Sequence, residues 1–229
     1  MRKGDESKQQ IIRAAERLFC ANGFDETSVQ RILEEVHGSK GGFYHHFASK
    51  EDLLRAICMQ RAEAAASRVL NEVSEPDPLR QLDRLLGAVM PFSKDDLVFM
   101  GMLIPILDRP ESTPVRVGYQ DALAAAFGPM VQGCIEETAA DGTLMPADPN
   151  ITAPVMTLLN ACWYDTALLL LKNIREGRPT DPSALLERLT TCRRCLEVLL
   201  DAPYGSLTLV SLEDWAVFAE GIARQIRRQ

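Results

Sequence analysis

The chain has 229 residues, of which 46% are hydrophobic and 25% charged, a composition that excludes a wholly disordered protein and allows one large domain or two modest ones. Its net charge of -7 and pI near 5.1 argue against a protein that coats nucleic acid or anionic membrane by bulk positive charge. The charge is uneven, since residues 1–50 carry a net +1 and all three histidines, whereas residues 51–229 carry -8. A nucleic-acid partner would therefore bind the N-terminal part through a few positioned side chains.

The chemistry of the chain predicts a cytoplasmic protein without a membrane partner. The first ten residues lead into a charged amphipathic segment, which is not the pattern of a signal peptide. The most apolar stretch, 155–171, is interrupted by Asn160 and Asp165 and falls short of a membrane span. The six cysteines lie mostly at apolar helical positions, where a free thiol behaves as a small hydrophobe, and this indicates a reducing compartment.

Helical periodicity dominates the chain. Ile11, Ala15 and Leu18 repeat at the spacing of one helix face, and the segment 29–36 does the same. We find no convincing alternation of β-branched residues; the nearest strand candidate, 207–210, is short. The sequence predicts an all-α fold.

Four helix starts are marked within the first fifty residues. The first helix is expected over 7–21, ending at Asn22-Gly23. Thr27 is the expected N-cap of the second, with Gln30 completing a capping box, and that helix should end near Val36. After a tight turn at His37-Gly38, Ser39 should cap a third helix through Phe47, and Ser49 a fourth that continues to about Val73.

The segment 74–78 reads as a break after the fourth helix. We therefore predict a small N-terminal domain over 1–50, joined by the helix 49–73 to a second domain over 75–229. The second domain should be a helical bundle, with helices at 79–90, 95–107, 115–139, 151–175, 182–201 and 211–228.

A short helix, a tight turn and another short helix, braced by a preceding amphipathic helix, form the layout that presents one helix to the DNA major groove. In the segment 39–47, Phe43 and Phe47 can face the core, which leaves a polar face for base and phosphate contacts. The helix starts offer free amides that suit phosphate oxygens. The candidate DNA-binding residues are Thr27, Ser28, Lys40, Gly41, Gly42, Tyr44, His45, His46 and Lys50.

The segment IIRAAERLFCANGFDETSVQRILEEVHGSKGGFYHHFASKEDLL resembles the N-terminal DNA-binding domain of the tetracycline-repressor (TetR) family. Landmarks of the resemblance include Gly23-Phe24, Thr27-Ser28-Val29, Ser39-Lys40-Gly41, Phe43-Tyr44 and Ser49-Lys50-Glu51. The resemblance implies a homodimer on a palindromic operator, most often a repressor, and a C-terminal helical domain for dimerisation and small-molecule binding. In this family the dimer interface corresponds to 151–175 and 182–201.

The chain departs from the family pattern at the turn, where His37-Gly38 replace the usual glycine and buried valine. Histidine tolerates the left-handed conformation better than most residues. Leu33, in place of a usual alanine, could fill the space that the valine leaves. Gly42 replaces a frequent threonine and lowers helix propensity by roughly 0.5 kcal/mol or more.

A second candidate site is an effector pocket in the C-terminal domain. Methionine and phenylalanine at helical spacing can line an adaptable pocket or simply fill a core. Asp165 is a carboxylate inside an apolar helix, where it must find a partner, water or a ligand. It could bind an effector, or it could face solvent or pair across the subunit interface. The candidate effector-binding residues are Phe99, Met102, Met130, Trp163 and Asp165.

Other readings are weaker. Neighbouring His45 and His46 point about 100° apart on a helix and cannot readily share a metal ion, so no metal or cofactor is expected. Cys192-x-x-Cys195 has the spacing of a redox or zinc half-site, but it lies in a helical pattern without a second ligand pair nearby. A structural role is the preferred interpretation, and thiol-based sensing is the alternative. No nucleophile triad, phosphate loop or carboxylate pair points to an enzyme. A regulator that responds to a protein partner or to oxidation remains the alternative to a ligand-responsive one.

Overall fold

A computed structural model describes residues 3–71, 77–148, 150–179 and 182–227. Over these residues it contains no strand and confirms the all-α prediction. A short 3₁₀ turn at Pro110–Ser112 precedes the seventh of the α-helices. The helices are α1 Lys3–Asn22, α2 Val29–Glu35, α3 Lys40–His46, α4 Lys50–Asn71, α5 Pro78–Val89, α6 Leu97–Leu107, α7 Thr113–Ala140, α8 Thr152–Arg175, α9 Pro182–Leu200 and α10 Leu212–Ile226.

The expected helices are all found, with described ends that differ from the predicted ones by at most four residues. The largest displacement is at α1, which starts at Lys3 and not at Ser7. The predicted end of the fourth helix, Val73, and most of the predicted break at 74–78 lie outside the described residues. The weak strand candidate 207–210 is irregular backbone, with Leu209 at a φ of 60°.

The first three helices pack around a small aromatic core. Phe19 from α1 and Phe43 from α3 are fully buried, and Phe47 is almost so. The rings of Phe43 and Phe47 lie 5.6 Å apart, and Phe19 contacts Phe24 at 5.0 Å. This core holds α3 against α1 and α2 with its other face toward solvent.

Helix α4 contacts both parts of the molecule, since it packs on α1 and, more extensively, on α7. Polar contacts join these elements as well: Arg61 and Gln60 of α4 contact Glu16 and Gln9 of α1, and Arg109, after α6, pairs with Asp25. The division into domains 1–50 and 75–229 stays a proposal, and these contacts show that the two parts are closely joined.

The remaining helices form a bundle in which α6 is buried on almost every side. Helix α10 lies on α6 at close range because glycine occupies each side of the crossing. A Cβ built on Gly221 would lie 2.1 Å from Leu97 Cδ1, and one on Gly101 would lie 2.4 Å from Gln225 Oε1. The amide Nε2 of Gln225 donates to the Val98 carbonyl at 3.0 Å and fixes the same crossing.

Among the described helices, α8 has the length and apolar composition of a membrane-spanning helix. Half of its apolar window is buried against the rest of the molecule, as in the core helix of a folded bundle.

Candidate functional site

The N-caps of α2 and α3 fix the geometry of the helix pair. Ser39 caps α3 as expected, since its Oγ accepts the Gly42 amide at 3.1 Å. The cap of α2 is Ser28 and not Thr27: Ser28 Oγ accepts the Arg31 amide at 3.1 Å. The predicted capping box is therefore wrong by one residue, and Gln30 instead donates to Glu34 on its own helix.

Thr27 has a different role because its side chain is 1% exposed. Its hydroxyl donates to the Gly23 carbonyl at 2.8 Å, with the Leu18 carbonyl also within reach. A buried hydroxyl cannot touch a phosphate in this conformation. Thr27 fastens the α1–α2 connection to the end of α1.

Lys50 lies at the start of α4 with its ammonium turned inward. Nζ donates to the Phe24 carbonyl at 2.8 Å and the Thr27 carbonyl at 3.2 Å, and it lies 4.3 Å from the centre of the Phe24 ring. The Asp25 carbonyl, at 3.5 Å, takes the third donor. An ammonium has three N–H donors, so this geometry assigns Lys50 to the α1–α2 connection and leaves it no donor for phosphate.

The turn between α2 and α3 adopts the conformation that its sequence indicates. His37 has a φ of 51°, in the left-handed region. A Cβ on Gly38 would lie 3.0 Å from Leu33 Cδ2 and 3.2 Å from Val36 Cγ2. Leu33, which is 3% exposed, thus occupies the space into which a larger residue at 38 would project.

Helix α3 presents a distinct outer face. Tyr44 is 60% exposed, and Lys40, Gly41 and His45 are exposed beside it. A Cβ on Gly41 would meet nothing within 4 Å, so the backbone there is open to an approaching surface. These four residues lie on one helix face, as the sequence predicts, while Phe43 anchors the opposite face.

Gly42 and His46 lie at the border of that face. Both are half-buried, and a Cβ on Gly42 would lie 3.3 Å from Ser39 Oγ. The His46 ring lies 5.0 Å from His45 and 6.2 Å from Phe47, edge to face, and borders a cleft that also contains Lys8. His46 therefore packs against Phe47 and is less exposed than His45.

The predicted effector residues do not form one site. Phe99 and Trp163 are fully buried and connected through the Tyr119 ring, 6.2 Å from Phe99 and 5.6 Å from Trp163. Met102 is buried in α6 and Met130 half-buried in α7. Asp165 is exposed on α8, which agrees with its solvent-facing alternative.

An open groove of about 790 Å³ lies between α7 and α8. Arg116 borders it with its guanidinium 5.0 Å from the centre of the Tyr164 ring, and Asp165 lies on its rim. Its floor includes Asn160, whose Oδ1 accepts the Trp163 indole N–H at 2.9 Å and whose Nδ2 donates to the Gln120 carbonyl at 3.3 Å. In the sequence, Asn160 stands out only because it interrupts the apolar stretch 155–171. A polar residue at such a position is the one sequence feature that indicates this groove.

Residues 11–57 match the model of the family described as bacterial regulatory proteins, tetR family. The chain is 30% identical over 155 residues to the HTH-type transcriptional regulator YerO of Bacillus subtilis, covering 62% of this chain and 52% of that protein. It is 36% identical over 73 residues to the HTH-type transcriptional repressor AcnR of Corynebacterium glutamicum, covering 32% and 37%. The chain thus spans about half or less of these relatives.

Solved structures share the fold over most of the chain. A TetR-family regulator from Pectobacterium atrosepticum is 18% identical, with a TM-score of 0.60 and coverage of 89% of this chain and 99% of the other. Salmonella enterica GusR is 22% identical, with a TM-score of 0.53 and coverage of 86% and 96%. The relatives are named as transcriptional regulators and not as enzymes. The N-terminal match, carried by the helix pair described above, identifies residues 11–57 as similar to the domain of the tetR family of bacterial regulatory proteins.

Proposed function

We propose that this chain is a sequence-specific DNA-binding transcriptional regulator in the cytoplasm, which represses by occupying a palindromic operator as a homodimer and is released by a small-molecule effector. The observation that carries the proposal is α3: a capped helix with an exposed face of Lys40, Gly41, Tyr44 and His45, held from behind by buried Phe43. Occlusion of a promoter needs tight DNA binding alone, and so repression is the simpler mode of action.

On this proposal the outer face of α3 contacts base edges in the major groove. Lys40 can donate to guanine or phosphate, and Tyr44 offers a ring to a thymine methyl and a hydroxyl to a phosphate. The open backbone at Gly41 permits close approach. Ser28 and Gly42, at the starts of α2 and α3, lie near free amides that suit phosphate oxygens, while Thr27 and Lys50 act indirectly by holding the loop before α2.

The homodimer would form through 151–175 and 182–201. Helices α8 and α9 pack on each other and leave an outward surface on which apolar groups are numerous. Val198 is 77% exposed, and Ala161 is exposed on α8 with Leu158 and Leu169 half-exposed beside it. Burial of such side chains between two copies would form a four-helix interface.

The effector would enter the groove between α7 and α8. Behind that groove, a series of contacts leads to the DNA-binding part: Asn160 bonds to Trp163, whose ring contacts Tyr119, which in turn contacts Phe99. Arg61 lies 5.1 Å from the centre of the Phe99 ring and pairs with Glu16 of α1. Phe99 and Trp163 would then transmit the occupancy of the groove to α1 without touching the ligand.

The decisive experiment is selection of bound duplexes from a random DNA pool by the purified protein at near-physiological salt. We expect a palindrome to be enriched. Failure to enrich any sequence would contradict sequence-specific binding.

The selected duplex then tests the recognition face. Lys40→Ala and Tyr44→Ala should each weaken binding by about tenfold or more, because a base or phosphate contact is lost in both half-sites. Met145→Ala, which truncates another highly exposed side chain (72%) in a distant loop, should bind as the parent does. Unchanged affinity in both well-folded α3 variants would overturn the assignment.

A further inference from the structure

Among the described residues that line the groove between α7 and α8, Arg116 is the one basic side chain. Its guanidinium lies over the Tyr164 ring, 5.0 Å from the ring centre, and its Nη1 donates to Gln120 Oε1 at 3.3 Å. Tyr164 is itself fixed, because its hydroxyl donates to the Leu107 carbonyl at 3.2 Å. These contacts hold the guanidinium in place before a ligand binds, which lowers the entropy cost of binding.

In the described part of the chain, no carboxylate oxygen lies within 4 Å of the Arg116 guanidinium. Its contacts are with a neutral ring and a neutral amide. A guanidinium carries five N–H donors in a planar fork, and the bond to Gln120 uses one of them. The remaining donors match the two oxygens of a carboxylate, which arginine binds through two parallel hydrogen bonds.

Two carboxylates, those of Asp121 and Asp165, also border the groove, and both are exposed. Exposed charges are well hydrated and screened, so an ion pair between a ligand and either of them gains little. Arg116 is half-buried, and an opposite charge is attracted more strongly there. The two carboxylates also repel a ligand with several negative charges. A single negative charge that meets Arg116 therefore suits the groove best.

The rest of the groove suits an apolar body. Part of its lining is apolar or small: Ala124, Gly128, Ala153, Met156 and Ala161. The side-chain amide of Asn160 is engaged at both ends, since Oδ1 accepts the Trp163 indole N–H at 2.9 Å and Nδ2 donates to the Gln120 carbonyl at 3.3 Å. The volume of about 790 Å³ lies in the range of sites that bind small molecules.

We propose that the groove binds small monocarboxylates with an apolar body, and that Arg116 holds the carboxylate through two hydrogen bonds. This assignment rests on the proposed role of the groove as the effector site, and it names the chemical class of the effector. The apolar body lies along the small side chains of α7 and α8, away from the exposed carboxylates of Asp121 and Asp165.

The test titrates the full chain, without DNA, with benzoate, hexanoate, benzamide and benzylamine, and it follows binding by calorimetry and by the Tm. We expect benzoate, hexanoate or both to bind and to raise the Tm with increasing concentration, because a ligand of the folded state stabilises it. The comparison of benzoate with hexanoate shows whether the apolar body is aromatic or alkyl. Neutral benzamide and cationic benzylamine should have no such effect. Binding of benzylamine alone, equal binding of benzamide and benzoate, or no binding of either carboxylate up to about 10 mM would overturn the assignment.

Variants then locate the bound carboxylate. Arg116→Gln should weaken its binding by about tenfold or more, because a charge-assisted pair of hydrogen bonds is lost. Arg224→Gln is the matched control: it removes an exposed arginine of α10 outside the groove and should bind as the parent does. Asp165→Asn should not weaken binding, since it removes a like charge. Where Arg116→Gln does not fold, Arg116→Lys keeps the charge but loses the planar fork, and it should also weaken binding. Unchanged affinity in a folded Arg116 variant would refute the site.

The outcomes separate the ligand class from the effector role. Carboxylate binding that leaves the affinity for the selected duplex unchanged would support the ligand class and contradict effector release. Release of the duplex by a ligand of another class, with no carboxylate binding, would overturn the ligand class alone.

Discussion

At the scale of single residues, the turn between α2 and α3 shows how two departures from a family pattern compensate each other. The usual buried valine is replaced by Gly38, and the usual alanine by Leu33. Leu33 Cδ2 lies 3.0 Å from the point where a Cβ at 38 would be built. The leucine therefore supplies from α2 the apolar volume that the turn lacks.

This compensation predicts that Gly38→Val destabilises the fold by about 1–3 kcal/mol, because the added methyl groups overlap Leu33 and Val36. Leu33→Ala alone should cost about 2–5 kcal/mol through the cavity it opens. The double variant should lose less unfolding free energy than the two single variants lose together, because the valine then fills the space that the leucine leaves. Urea unfolding of the four proteins measures the coupling, and strictly additive losses would refute it.

Thr27 and Lys50 show that residue type alone does not decide which neighbour caps a helix or which groups a lysine contacts. Thr27-Ser28 offers two adjacent residues of equal capping ability, and only the path of the chain decides that Ser28 caps α2 while Thr27 is buried. Likewise, a lysine at a helix start reads as a phosphate ligand. Here the carbonyls of the α1–α2 connection lie within its reach and take its donors.

At the scale of elements, the α1–α2 connection is held from two sides. Lys50 of α4 binds its carbonyls, and Arg109, just after α6, forms two hydrogen bonds to the Asp25 carboxylate at 2.9 and 2.5 Å. Arg109 thus links the end of the buried helix α6 to the loop that leads into the helix pair α2–α3.

The Arg109 pair predicts a specific titration. The hydrogen bond from Arg109 holds the pKa of Asp25 below its ordinary value, with burial opposing and the charges of Arg109 and Lys50 assisting. A depressed carboxyl pKa means that the pair stabilises the fold above the ordinary pKa of an aspartate and that this contribution is lost as the pH falls through the lowered value. Carboxyl NMR should show the Asp25 pKa rising in Arg109→Gln.

Arg17→Gln is the matched control, because Arg17 pairs with Glu35 and not with Asp25. It should leave the Asp25 titration unchanged. An Asp25 pKa that is the same in the parent and in Arg109→Gln would show that the linkage does not form in solution.

The connection between α9 and α10 packs closely against α5. Asp83 Oδ1 accepts the amides of Thr208 and Leu209 at 2.8 and 2.9 Å. The Leu209 carbonyl lies against α5 at Gly87, where a Cβ would be only 2.2 Å from its oxygen. Only glycine fits at that point of α5 while the connection keeps its path.

Gly87→Ala should therefore destabilise the chain and lower its Tm by several degrees, since backbone and not a flexible side chain must move. Gly133→Ala is the control: it lies inside α7 with nothing within 4 Å of its Cβ position. That change should stabilise the helix by up to about 1 kcal/mol. Thermal unfolding measures the Tm of both variants. Equal Tm shifts of the same sign would contradict the close contact between Gly87 and the Leu209 carbonyl.

At the scale of the whole molecule, the charge distribution suits an acidic protein with one DNA-facing end. Residues 1–50 carry a net +1, against -8 for the remainder. The net negative charge of residues 51–229 disfavours DNA binding by that part of the chain, so binding should depend on a limited number of phosphate contacts at the N-terminal end.

This distribution predicts that affinity for the selected duplex falls steeply with salt, with a log–log slope of about -0.9 for each phosphate contacted. A dimer with about six contacts would lose roughly a thousandfold in affinity between about 50 and 200 mM salt. Fluorescence anisotropy over a salt series measures the slope. A flat response would contradict a phosphate-anchored complex.

The sequence by itself determined the all-α class, the order and approximate ends of the helices, and the exposed face of α3. These follow from local patterns: the apolar spacing of Phe43 and Phe47 decides which face of a short helix turns inward, and Ser39 and His37 set the cap and turn beside it. Only the tertiary structure decided that Thr27 and Lys50 contact the α1–α2 connection, and that Phe99 and Trp163 are core while Asp165 is exposed. These outcomes depend on which distant groups meet across helices, and spacing along a single helix carries no information about the partner that packs against it.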